Sequence, residues 1–109
     1  MKLIISIIQD DDAGDLVDIL TDLSFRVTKL ATTGGFLKAG NTTLMIGVED
    51  KNVDLVIDKI EQVCKTRDQI ITTPFPATGS TGIYVPYPIE VEVGGATIFV
   101  VDVDKFIKI

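Results

Sequence analysis

KLIISIIQDDDAGDLVDILTDLSFRVTKLAT, residues 2–32, reads as a strand, a helix and a second strand. Apolar and β-branched side chains dominate residues 2–9, the pattern of a strand buried on both faces. Asp10, Asp11 and Asp12 follow, offering an N-cap and favourable charge at the start of a helix. Ala13, Leu16, Val17, Leu20 and Leu23 then recur at helical spacing, with Asp15, Asp18 and Asp22 on the wet side. Residues 25–32 alternate, which puts Phe25, Val27 and Ala31 on one face and Arg26, Thr28 and Thr32 on the other.

The second half repeats this order. A glycine-bearing loop, TTGGFLKAGN, occupies 32–41, and residues 42–48 read as a third strand. Glu49-Asp50 are expected to cap a second helix, whose apolar stripe is Val53, Val56, Ile57, Ile60, Val63 and Cys64. QIITT, 69–73, reads as a fourth strand, and DLVDIL at 15–20 is echoed by DLVIDK at 54–59. All four prolines fall in 74–88, PFPATGSTGIYVPYP, which reads as a long loop; loops of that length inside small domains are commonly functional. IEVEV and ATIFVVDV flank Gly94-Gly95, the signature of a two-residue β-hairpin.

Two strand–helix–strand halves predict one α+β domain over residues 1–109. Its expected core is ferredoxin-like, βαββαβ, with both helices on one face of an antiparallel sheet and an added C-terminal β-hairpin. Such a sheet leaves its other face bare. The two-sided apolar character of residues 2–9 requires a cover for that face, and a second copy of the chain supplies one, so an oligomer is expected.

Composition narrows the function. The chain has 109 residues, 46% of them hydrophobic, one cysteine, no histidine and no tryptophan. Without histidine, the commonest general base and the Ser–His or Cys–His nucleophile pair are missing, which favours a binding protein over an enzyme. No apolar run approaches the roughly 18 residues of a membrane span, and none reads as a signal peptide; with the lone cysteine, this points to the cytoplasm. The net charge of −6 argues against a nucleic-acid polymer as partner. That charge is unevenly distributed. Residues 23–48 contain Arg26, Lys29 and Lys38 and no carboxylate, so the window carries +3 and the remainder −9. A stretch free of acids in an acidic protein is a candidate anion site.

Several features of that window fit a nucleotide. Arg26 and Thr28 share one strand face about 7 Å apart, a guanidinium beside a hydroxyl, suited to phosphate; the plainer reading is a solvated arginine. Gly34-Gly35 let backbone N–H groups approach an anion, or simply make a turn. Phe36 and Leu37 are apolar in a glycine loop and suit stacking on a base, and the Asn41 amide matches an adenine edge. Asn41 also suits an ordinary turn. Gly47, inside a strand, marks a place where something approaches the backbone closely. Phe99, read from its surroundings alone, belongs to a core, and Cys64 reads as a small buried hydrophobe. The acidic triplet 10–12 is explained by helix capping, with no metal required.

FRVTKLATTGGFLKAGNTTLMIGV at 25–48, with YVPYPIEVEVGGATIFV at 84–100, resembles the PII-like cyclic di-AMP receptors (the PstA/DarA family) of Gram-positive bacteria. The resemblance covers essentially the whole chain. It implies a cytoplasmic homotrimer with no cofactor and no catalysis, binding cyclic di-AMP in clefts between adjacent subunits and signalling to an unknown downstream protein through its loops. Segment 74–88, with Tyr84 and Tyr87, is the expected moving part. By the same resemblance, Arg26 and Thr28 contact the ligand's phosphates. Gly35, Phe36, Leu37 and Asn41 hold an adenine, and Gly47 and Phe99 shape the pocket. The chain departs from residues common in that family at Ser24 (often Asn) and Lys108 (often an amide). The alternative, a conventional PII regulator binding ATP and 2-oxoglutarate, uses a longer loop after the second strand and a basic cluster after the second helix. Segment 74–88 has neither Lys nor Arg.

Overall fold

The computed structural model describes residues 1–30, 40–76 and 84–109; for 71–76 and 84–87 it describes the backbone alone. Strand β1 (Lys2–Gln9) leads into helix α1 (Asp10–Asp22), then β2 (Val27–Leu30) and β3 (Asn41–Val48). A short 3-10 turn (Asp50–Asn52) precedes α2 (Val53–Cys64). Strands β4 (Arg67–Pro76), β5 (Tyr84–Val93) and β6 (Ala96–Asp102) complete the order.

Four strands form one sheet in the order β2-β3-β1-β6, antiparallel throughout. This is the ferredoxin-like arrangement. The alternation in β1 sends Ile4, Ser6 and Ile8 to the helix side, where they are fully buried, while Leu3, Ile5 and Ile7 face the other way and are half-buried. On β3, Leu44, Ile46 and Val48 meet the same core. Ala13, Leu16 and Leu20 from α1 and Val56, Ile60 and Cys64 from α2 close it, as the helical spacing predicts. Burying one such aliphatic side chain contributes about 1.5–3 kcal/mol, so this two-layer interior supplies most of the driving force. Leu23, at the end of the expected stripe, stays 42% exposed.

The fourth strand of the sheet is not residues 69–73 but β6. Strand β4 pairs instead with β5, and the pair forms a separate two-stranded ribbon. The hairpin expected across Gly94-Gly95 is therefore absent: β5 pairs back with β4, and the ribbon sits between α2 and the last core strand. Gly94 and Gly95, with φ of +89° and +91°, do not join paired strands. They swing the chain from the ribbon into the sheet, where β6 takes the free edge of β1.

Much of the proline-rich segment is strand as well. Thr72 faces Pro88, Pro74 faces Pro86 and Pro76 faces Tyr84. Each proline thus lies two residues from the next along its strand, and all four fall in the same alternate set of cross-strand pairs. Those are the pairs that exchange no hydrogen bonds, so a residue without N–H costs the ladder nothing there. A ten-residue antiparallel strand is about 33 Å long, and the ribbon extends as an arm from a molecule 66 Å in its longest dimension.

Helix entry differs from expectation too. No side chain caps α1 or the 3-10 turn. The acids remain in the first turn of α1, where they favour the helix dipole. Two of them also make tertiary ties: Asp10 accepts from the Thr42 hydroxyl and Asp12 from Arg67. Asp50 pairs with the Met1 ammonium at 2.9 Å, which holds its carboxyl below the usual range.

Candidate functional site

The bare face of the sheet is built from alternate residues of all four strands. Thr28 on β2 faces Met45 on β3, Met45 faces Ile5 on β1, and Ile5 faces Phe99 on β6, a single row across the sheet. The next row holds Gly47, Leu3 and Val101. Phe99 is 52% exposed, which corrects its reading as core. Sequence patterning could not separate the two faces of an edge strand that is apolar on both.

Arg26, Thr28 and Gly47 line one cavity of about 750 Å³ at the end of this face. Arg26 and Thr28, read from sequence as sharing one strand face, line the same cavity. Ser24 lines the same cavity, and so do Met1 and Lys108. What approaches Gly47 within this chain is the Met1 side chain, whose Cε lies 3.2 Å from where a Cβ would stand. Ser24 follows the C-cap of α1 with φ +68°; its N–H donates to Thr21 O at 2.9 Å, and the Phe25 N–H donates to Leu20 O at 2.9 Å. This left-handed exit turns the chain so that Phe25 packs on the core and Arg26 faces the cavity.

The charge of the cavity is set by position rather than by the window 23–48. Arg26 lines it, whereas Lys29, by strand alternation, belongs to the opposite face with Val27. Lys108 adds a second cation from far along the chain, and Glu49 places a carboxylate on the same wall. Beside Lys108, which the family resemblance singled out, Phe106 and Ile107 were missed: they line the cavity although they are 64% and 68% exposed. Their signal was available, since two large apolar residues after the last strand need a surface to cover.

Asn41 lies elsewhere. It is on the same sheet face as Gly47 but six residues away, about 20 Å at strand rise, and it lines a separate cleft of about 250 Å³ with Gln9, Gly94 and Gly95. Gly35, Phe36 and Leu37 lie outside the described residues, as do Gly34 and Lys38. Among the described residues, no group of three acidic or thiol side chains is placed to hold a metal ion, and no helix is long and apolar enough to cross a membrane. Cys64 is buried as expected, and burial pushes its thiol up to about 11.

A βαββαβ sheet with helices on one face, a projecting ribbon and a cationic cavity on the other face defines a ferredoxin-like domain of the PII kind. Over residues 1–109 the chain matches the cyclic-di-AMP receptor family, and it belongs to that family. It is also similar to a solved structure of a functionally unknown protein from Pediococcus pentosaceus, at 44% identity and a TM-score of 0.76, over 99% of this chain and 96% of that one.

Proposed function

We propose that residues 1–109 form a single receptor domain that assembles as a homotrimer, binds cyclic di-AMP in clefts between adjacent subunits without altering it, and relays occupancy through its loops to a partner protein. Arg26 and Thr28 contact phosphate; Gly35, Phe36, Leu37 and Asn41 hold an adenine; Gly47 and Phe99 shape the pocket. The observation that carries this reading is that Arg26, Thr28 and Gly47, chosen from sequence, line one cavity on the bare sheet face of a cyclic-di-AMP receptor family member. A guanidinium beside a hydroxyl suits a phosphodiester, and a glycine floor admits close approach. The trimer is supported by the exposed apolar surface that a single chain leaves uncovered, including Phe99, Val101 and Phe106. An incomplete cavity and a separated Asn41 fit a site completed by a neighbouring subunit.

Calorimetric titration with cyclic di-AMP tests it. Removing a charge-assisted hydrogen bond costs about 1.5–3 kcal/mol, so Arg26→Ala is expected to weaken binding roughly 10- to 100-fold. Unchanged affinity would remove Arg26 from the phosphate role. A thermal shift with ATP larger than that with cyclic di-AMP would sink the ligand assignment.

A further inference from the structure

The junction of β1 and α1, Gln9 and the first turn of the helix, makes ties in two directions. On one side, the Asp10 N–H donates to Gly40 O at 2.8 Å, and the Asp10 carboxylate accepts from the Thr42 hydroxyl. These hold the segment that enters β3 on either side of Asn41. On the other side, Gln9 Oε1 accepts the Gly94 N–H at 2.8 Å, and Asp12 Oδ1 accepts from Arg67 Nη2 at 2.7 Å. Arg67 opens β4 and Gly94 directly follows β5, so both strand ends of the arm are held at this junction. Arg67 Nη1 also donates to Lys65 O at 3.0 Å, and the Gly95 N–H donates to Cys64 O.

The base of the arm leaves no room for adjustment. A Cβ at Gly94 would lie 2.5 Å from Lys65 O and 2.7 Å from Arg67 Nη1, so glycine alone lets the turn close over the guanidinium. Asp12 is 4% exposed, and its Oδ2 is buried with no hydrogen bond. Among the described residues, Arg67 is its one partner. Releasing Arg67 leaves a buried charge uncompensated, which makes breaking the pair costly. Asn41 and the pivot glycines Gly94 and Gly95 line the same 250 Å³ cleft.

We infer that the junction of β1 and α1 couples the ligand site to the β4–β5 arm, with the Asp12–Arg67 ion pair as the latch that sets whether the arm base is held against the core. This rests on the receptor reading above, in which Asn41 touches the ligand. A ligand that binds the two arm states unequally shifts their populations, and Asp10, Gln9 and Asp12 are the shared element through which it does so. Arg67 is a positioning residue here and touches no ligand.

The test is amide exchange on the full chain with and without cyclic di-AMP, with binding read separately by calorimetry, for wild type, Arg67→Gln and Arg67→Lys. In wild type, the ligand is expected to change exchange of residues 67–70 and 90–93 by about threefold or more. Arg67→Gln is expected to bind the ligand within about threefold of wild type, yet to exchange rapidly at the arm base with or without it. Arg67→Lys, which keeps one charged contact, restores part of the response. Ligand binding to wild type without a change at the arm overturns the coupling, as does an unaltered response in Arg67→Gln. Absence of any binding heat with wild type overturns the receptor reading and the coupling together.

Discussion

Ser24 shows how much of the site depends on one dihedral angle. A side chain in the left-handed region costs roughly 1–2 kcal/mol, and Ser24 adopts it to end α1 and aim Arg26 at the cavity. Ser24→Gly is accordingly expected to stabilise the fold by about 1 kcal/mol, raising the thermal midpoint by roughly 4 °C in a chain of this size. Cys64 provides a second residue-level test. Its folded-state pKa is raised from 9.0 to about 11, first by burial and then by the nearby Asp12 carboxylate. The unfolded chain therefore loses this proton at lower pH than the folded chain. The stabilisation is complete below pH 9 and is lost as pH rises toward 11. Denaturant midpoints across that range are expected to fall more steeply for wild type than for Cys64→Ala. Equal slopes would show that the thiol is not buried in the folded state. Lys2, whose ammonium pKa is raised by its hydrogen bond to Asp102, is half-buried and pairs with an exposed carboxylate at the surface. Pairs of that kind contribute little.

At the scale of elements, the arm is the instructive case. Helices α1 and α2 and strands β1 and β3 are legible because their apolar periodicities are strong and local. The proximal parts of the β4–β5 ribbon read as strands, but its proline-rich part within 74–88 reads as loop because four prolines and two glycines fall there. The spacing held the missing information: prolines at 74, 76, 86 and 88 keep to alternate positions on each strand, and the register places them all in pairs without hydrogen bonds. Phe75 and Val85 form the intervening pair, which uses its N–H groups. Val85→Pro should therefore disrupt the ribbon by removing a ladder donor, with a loss of amide protection in β4 and β5 and little change in that of β1 and β3. Retained protection in the arm of that variant would show that the register is different.

For the whole molecule, the sheet has one face sealed by helices and one left bare. Phe99, Val101, Phe106, Ile107 and Ile109 are each more than 40% exposed. Apolar surface on that scale is ordinarily covered by another chain. Sedimentation is expected to give the mass of three chains. Glu at both Phe99 and Val101 is expected to give a single chain's mass, because carboxylates are costly to bury in an apolar interface. A monomeric wild type would sink the proposed intersubunit cleft. Of the predicted site, Arg26, Thr28 and Gly47 share a cavity because strand alternation and register put them on neighbouring rows. Lys108 and Met1 join them only because both chain termini reach the same sheet end, where the Val103 N–H donates to Met1 O at 3.2 Å.

Local information was enough to determine the strand–helix–strand halves, the helix faces toward the core, and the pairing of Arg26 with Thr28 on one surface. These depend on periodicities of two and 3.6 residues, which the chain carries along its own length. Which strand completes the sheet was decided only by the tertiary structure. β4 and β6 compete for the same free edge of β1, and the winner depends on where the chain is anchored after α2. The Arg67–Asp12 pair and the left-handed Gly94-Gly95 turn hold β4 away and deliver β6 to that edge. The Arg67–Asp12 pair joins residues 55 positions apart, which no local pattern encodes, and the glycine pair by itself does not say which strand it delivers to the sheet.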